Sequence, residues 1–238
     1  MALWGTIINA IAIIIGGLIG SRIPYISEGI RNTVMQGLGL ATVVLGLSMT
    51  FKSEHFLIVI ISLVLGGIIG EMLNIEFRLQ QLGNWLEKKV RRTDKPNPNK
   101  ISIAEGFITT TLIYCIGSMA ILGSMDSGLR HNHDILYTKS MLDGITAIIF
   151  ASTLGFGVIF SAVPVFIYQG AIALSASLLS TFISTADLNN MIAEVTAVGG
   201  VLIIGIGLNI LEIKRINVAN LLPSIFIAAA IISLMSIG

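Results

Sequence analysis

A chain of 238 residues that is 54% hydrophobic and 11% charged, with a mean hydropathy of +0.91, is too apolar for an ordinary soluble domain. Several apolar runs of about 20 residues leave little over for a separate soluble module, so one membrane domain is expected. The net charge of +1 says little about partners, and the single Cys115 excludes an intrachain disulfide or a multi-cysteine metal site.

The runs are continuous and of helix length, where barrel strands would be about 10 residues and alternating. The expected fold is therefore all-α: a polytopic integral membrane protein with about eight transmembrane helices. The N-terminal stretch MALWGTIINAIAIIIGGLIGSR lacks a basic leader and a small-residue cleavage site, so it reads as a retained first span.

In chain order, span one runs from about Leu3 to Gly20, closed by Ser21-Arg22-Ile23-Pro24; span two from Asn32 to Thr50; span three from Phe56 to Leu73. The long polar break Asn74 to Lys100 follows. Its Ile75, Leu79, Leu82, Leu86 and Val90 recur at helical spacing among basic residues, which predicts an amphipathic helix on anionic lipid headgroups before the turn at Pro96-Asn97-Pro98-Asn99.

Span four lies within Glu105 to Asp126, with a polar loop from Asp126 to Thr138 after it. The uncharged run Gly144 to Ala186 is twice a crossing and divides at Ser161-Ala162-Val163-Pro164, giving span five (Lys139 to Phe160) and span six (Val165 to Ser184). Span seven covers Asn190 to Leu211, and span eight Val218 to Ile237 with Pro223 in its first turns.

With eight alternating spans, 11 of the 14 Lys and Arg fall on the side of the Asn74 to Lys100 break. Positive charge marks the cytoplasmic side, so both termini are expected outside, in a bacterial cytoplasmic (inner) membrane.

Gly5, Ile7, Ile15 and Gly16 of span one match Gly106, Ile108, Ile116 and Gly117 of span four at an offset of 101, and Gln36-Gly37 matches Asp143-Gly144 at 107. Three spans per unit is odd, so two such units would be inverted relative to each other, a common plan among secondary transporters. The expected organisation is a first three-helix repeat over 1–73, a basic linker over 74–100, a second repeat over 101–186, and two C-terminal helices over 187–238. The GG-x-x-G of span one, Gly16 to Gly20, recurs in span three as Gly66 to Gly70, in keeping with close helix packing.

Span four gathers Thr110, Thr111, Tyr114, Cys115, Gly117, Ser118 and Ser124 on one half of its helical wheel. Such a face serves either close helix packing or a wall for a polar solute. Asp143, one turn into span five and four residues after Lys139, is either an intramembrane functional charge or half of an anchoring pair at a helix end.

Asn9, Gln36, Gln169 and Asn209 place amides in or at the ends of spans, where they bridge helices or coordinate a solute. Glu71, Glu105 and Glu194 sit near span ends, which tolerate carboxylates. The candidate substrate-binding set is thus Asn9, Gln36, Thr110, Thr111, Tyr114, Ser118, Asp143 and Gln169.

His131 and His133 form a lone H-x-H with no further ligand pattern, so no metal site is assigned. There is no nucleotide-binding Gly-Lys loop, no G-x-S-x-G and no H-E-x-x-H, so neither an enzyme, a cofactor nor a nucleic-acid partner is expected.

The stretches EGFITTTLIYCIGSMAILGSMDSGL, KSMLDGITAIIFASTLGFGVIFSAVPVFIYQG and AVGGVLIIGIGLNILEIKRINVANLLPS resemble the uncharacterised bacterial YdfK/YqgA-like membrane proteins, a domain-of-unknown-function family. The resemblance implies an inner-membrane protein of transporter-like build and brings no substrate with it. The function expected is a secondary transporter (permease) of a small polar or charged solute, as a homodimer among membrane lipids. An ion channel or pore and a non-transporting scaffold or sensor are the alternatives.

Overall fold

The computed structural model describes residues 2–23, 28–90, 103–182 and 185–237. Among the described residues, eleven α-helices and one 3-10 turn follow each other: α1 (Trp4–Ser21), α2 (Glu28–Thr50), α3 (Phe56–Leu73), α4 (Ile75–Val90), α5 (Ile103–Cys115), α6 (Ser118–Arg130), α7 (Asp134–Leu154), α8 (Gly157–Phe160), α9 (Ala162–Phe182), α10 (Thr185–Ile210), the 3-10 turn Val218–Leu221 and α11 (Pro223–Ile237). No strand occurs among the described residues.

Among the described residues, seven stretches are long and apolar enough to cross a membrane, and α5 with α6 makes an eighth if the bent pair counts as one. Apolar side chains such as Leu57, Met72, Leu174 and Phe226 point outward, as expected of a protein whose solvent is lipid.

The chain divides into two compact units. The first holds Met1–Ser27, Phe77–Cys115 and Leu122–Leu174; the second holds Glu28–Glu76, Ile116–Ile121 and Ser175–Gly238.

In the first unit, α1 lies against α7 through glycines. Gly5 faces Leu136, Gly16 faces Gly144 and Ala147, and Gly20 faces Ile148 and Ala151. A Cβ at Gly16 or Gly20 would fall on a carbonyl oxygen of α7, so the backbones meet at a distance only glycine allows. Residue numbers rise together along both helices, so α1 and α7 run parallel.

In the second unit, Gly39 of α2 faces Leu211 and Gly207, while Gly46 faces Gly200 and Ile204; on α3, Gly66 faces Ser224 and Gly70 faces Asn220. Numbers rise along one helix as they fall along the other, so α2 is antiparallel to α10, and α3 to α11.

These directions bear on the bent pair. Two parallel membrane helices have an odd number of crossings between them, and two antiparallel ones an even number. Between α1 and α7 lie α2, α3 and the α5–α6 pair; between α2 and α10 lie α3, α5–α6, α7 and α8–α9; between α3 and α11 lie α5–α6, α7, α8–α9 and α10. Remove α5–α6 and all three relations reverse. All three relations agree with counting the bent pair as one span, for up to eight candidate spans among the described residues.

Three expectations about helix limits need correction. Span four is not one straight helix, because α5 and α6 meet at 60° across Ile116 and Gly117, and Gly117 has φ +143°, which L side chains rarely adopt. Span five ends at Leu154 rather than Phe160. The break is at Gly155, with φ +82°, and not at Pro164, which sits in the first turn of α9 where its missing N–H costs nothing. The polar stretch Asp126 to Thr138 is largely helical, with only residues 131–133 between α6 and α7.

The amphipathic helix expected after span three is α4; Asn74, in the left-handed conformation, ends α3 and turns the chain into it. Pro24, Arg91, Arg92, Lys95, the Pro96–Asn99 turn and Lys100 lie outside the described residues.

Candidate functional site

Asp143 is the tenth residue of α7, roughly 14 Å along a helix that rises 1.5 Å per residue, about half the depth of a hydrocarbon layer. Lys139 lies one turn before it on the same face. Nζ of Lys139 sits 3.0 Å from Oδ1 and 2.9 Å from Oδ2 of Asp143, so one ammonium bridges both carboxylate oxygens. The two residues are only 7% and 6% exposed, which rules out a solvated helix-end pair.

Two other helices of the same unit close over the carboxylate. Asn9 of α1 donates from Nδ2 to Asp143 Oδ2 at 3.0 Å, and the same nitrogen stands 3.3 Å from Oε1 of Gln169 on α9. Gly16 and Gly20 bring α1 close enough to α7 for the short Asn9 side chain to reach. Asn9 and Gln169 are wholly buried.

The network is not self-contained. Among the described residues, Asn9 Oδ1, Gln169 Nε2 and Thr6 Oγ1, the last one turn before Asn9 on α1, are buried and meet no hydrogen-bond partner. An unmet buried polar group costs roughly 1–3 kcal/mol, so a cluster of them is a place where a fold gives up stability.

Helix α5 supplies the fourth side. Tyr114 is 1% exposed, with its hydroxyl 3.5 Å from Thr146 Oγ1 on α7, three residues after Asp143. The C-terminal end of α5, where span four breaks, thus touches α7 within one turn of Asp143.

Of the eight candidate residues, Asn9, Asp143 and Gln169 are joined by hydrogen bonds, and Tyr114 is adjacent. Thr110 returns its hydroxyl to Gly106 of its own helix at 2.7 Å, the local use expected of a packing threonine. Thr111 Oγ1 is buried and meets no hydrogen-bond partner among the described residues. Gln36 is exposed on α2 in the other unit, outside this network. Ser118 opens α6, and its side chain lies outside what the structure describes.

Thr6 and Thr146 were absent from the candidate set. Both carry a signal in retrospect, since Thr6 is three residues from Asn9 and Thr146 three from Asp143.

Glu194 is more deeply buried than its place near a span end suggests, at 1% exposure. It accepts hydrogen bonds from Ser53 Oγ at 2.7 Å and from the backbone N–H groups of Glu54 and His55 at 2.9 Å. It thereby caps the N-terminus of α3 from another helix, a structural role. At the other end of α3, Asn220 donates to Glu71 at 2.6 Å and accepts from the Glu76 N–H at 2.7 Å.

Glycine-packed helices of membrane length around a buried polar cluster define a polytopic helical membrane protein with a buried charge pair. The chain belongs to the family described as "Protein of unknown function (DUF554)", whose model matches residues 4–233. It is 37% identical over 235 residues to the uncharacterized membrane protein YdfK of Bacillus subtilis, covering 97% of this chain and 96% of that one. It is 30% identical over 225 residues to the uncharacterized protein YqgA of Escherichia coli, covering 94% of each. No solved structure matches.

Proposed function

We propose that the protein is a secondary transporter of a small polar solute, with the Asn9–Asp143–Lys139–Gln169 cluster as the solute site. The observation that carries this reading is the pairing of an ion pair buried midway along α7 with polar atoms that meet no partner among the described residues. Ionisable groups inside a bilayer are expensive, and a purely structural network would be expected to complete its hydrogen bonds.

The broken fourth span supports the same reading, because discontinuous helices beside a mid-depth site are the usual means by which transporters present polar backbone to a solute. In this reading the eight crossings put both termini on one side, outside, with the basic α4 segment in the cytoplasm by the charge rule.

The test is counterflow in proteoliposomes, using solutes first selected because they raise the melting temperature of the purified protein. Saturable counterflow that Asp143→Asn abolishes, assayed below that variant's lowered melting temperature and with insertion and monodispersity retained, is the expected result. Unitary currents without counterflow, or full uptake by Asp143→Asn, would sink the proposal.

A further inference from the structure

Hydrogen-bond polarity runs through the buried cluster in one direction. The Lys139 ammonium can only donate and an ionised Asp143 can only accept. The Asn9 atom 3.0 Å from Asp143 Oδ2 must therefore be the donor Nδ2, and the Gln169 atom 3.3 Å from that nitrogen must be the acceptor Oε1. Neither amide is free to flip, since rotating Asn9 would set its carbonyl against the carboxylate, and rotating Gln169 would set two N–H groups against each other.

The same chain of constraints decides what is left over. Asn9 presents an acceptor, Oδ1, and Gln169 a donor, Nε2, on two amides already bonded to each other. Thr6 Oγ1 adds a hydroxyl able to serve in either sense. Lys139 and Asp143 meanwhile cancel each other's charge. A ligand with net charge would go uncompensated at this depth, at a cost of several kcal/mol.

We propose that the Asn9–Gln169 amide pair recognises a small solute without formal charge that offers both a hydrogen-bond donor and an acceptor, of the carboxamide or urea type. A metal cation would meet Asn9 Oδ1 but face the Gln169 N–H; a carboxylate would do the reverse. A single solute with both senses can satisfy both amides. The inference rests on the transporter reading for the identity of the site and for how a solute reaches it, whereas binding itself can be read without transport.

The experiment measures the melting temperature of the purified full chain in detergent against acetamide, propionamide and N-methylurea, with sodium, methylammonium, acetate and glycine as charged and zwitterionic counterparts. The uncharged probes are expected to give a saturable rise of about a few degrees at ~100-fold excess over half-saturation. Gln169→Met, which removes the donor without adding charge, abolishes the rise, and Thr33→Ala on exposed α2 keeps it.

Thr6→Val guards against variants that simply fold poorly. Removing a buried hydroxyl without a partner raises the melting temperature of the protein alone while weakening the response to the amides. A response to the charged or zwitterionic probes alone, no response to any uncharged probe, or an amide response that survives Gln169→Met overturns the inference. Amide binding without amide counterflow removes the transporter reading and leaves this one standing. Counterflow of a charged solute with no amide response does the opposite.

Discussion

Lys139 Nζ lies 2.9 Å from Asp143 Oδ2, one helical turn away on α7, with both side chains nearly closed to solvent. Neither charge can be removed alone without stranding the other. Lys139→Met or Asp143→Leu is expected to destabilise by roughly 3–5 kcal/mol, whereas the double variant recovers most of that loss because an apolar pair needs no compensation. Thermal unfolding of the four proteins in detergent gives the coupling directly. Equal and additive losses would mean that the two groups do not depend on each other.

The glycines that set this geometry are not equivalent. A Cβ at Gly16 would meet the Gly144 carbonyl, so Gly16→Ala is expected to push α1 from α7 and cost roughly 1–3 kcal/mol. Gly37 of α2 has nothing within 4 Å of the same added atom, and Gly37→Ala should be neutral or stabilise by up to ~1 kcal/mol through helix propensity. Melting curves of the two variants separate close approach from composition. Because Asn9 rides on α1, Gly16→Ala should also lose solute binding, and Gly37→Ala should not.

The contrast shows which features could be read along the chain. Apolar runs marked the crossings because bilayer thickness fixes their length, and Lys139 with Asp143 was visible because four residues in a helix is a local relation. Asn9 and Gln169 could be singled out as amides within spans, but their meeting at Asp143 is tertiary, set by α1 and α9 packing on α7.

The bend in span four was hidden for a different reason. Gly117 inside an apolar run looks the same whether it serves close packing or a positive φ, and only the backbone distinguishes them. Pro164 misled in the opposite sense, since a proline in a helix's first turn is no break. Glu194 gives no local sign of its burial, since a carboxylate near a span end is ordinarily solvated and nothing in its sequence neighbourhood tells that it reaches the start of another helix.

That reach makes Glu194 a test of helix capping across the fold. Its carboxylate satisfies two backbone N–H groups at the entry to α3 together with the Ser53 hydroxyl. Glu194→Ala strands them and is expected to cost roughly 1.5–3 kcal/mol, with Glu194→Gln costing less since one amide oxygen can still accept. Hydrogen exchange should rise first at the N-terminal turn of α3. Unchanged protection there in Glu194→Ala would show that the cap is dispensable.

His133 supplies a pH dependence whose sign can be worked out. Ser127 Oγ lies 2.6 Å from the Ala2 carbonyl and must spend its one proton there, so His133 Nδ1, 2.8 Å from that Oγ, carries a hydrogen and donates it. The bond is therefore kept in both the neutral and the protonated ring. What changes on protonation is charge: partial burial, and behind it neighbouring positive groups including His131, hold the imidazole below its ordinary value of 6.5, with Asp134 pulling the other way. The folded state thus resists taking up a proton that the unfolded chain accepts. Stability is complete above about pH 6.5 and falls as the pH drops through that value toward the lower folded one, below which no further loss comes from this group. Because the ring is only partly buried, the loss in melting temperature should be on the order of a degree or two between pH 7.5 and pH 5. His133→Asn should flatten that segment of the profile, and a wild-type curve that rises over the same interval would reverse the assignment.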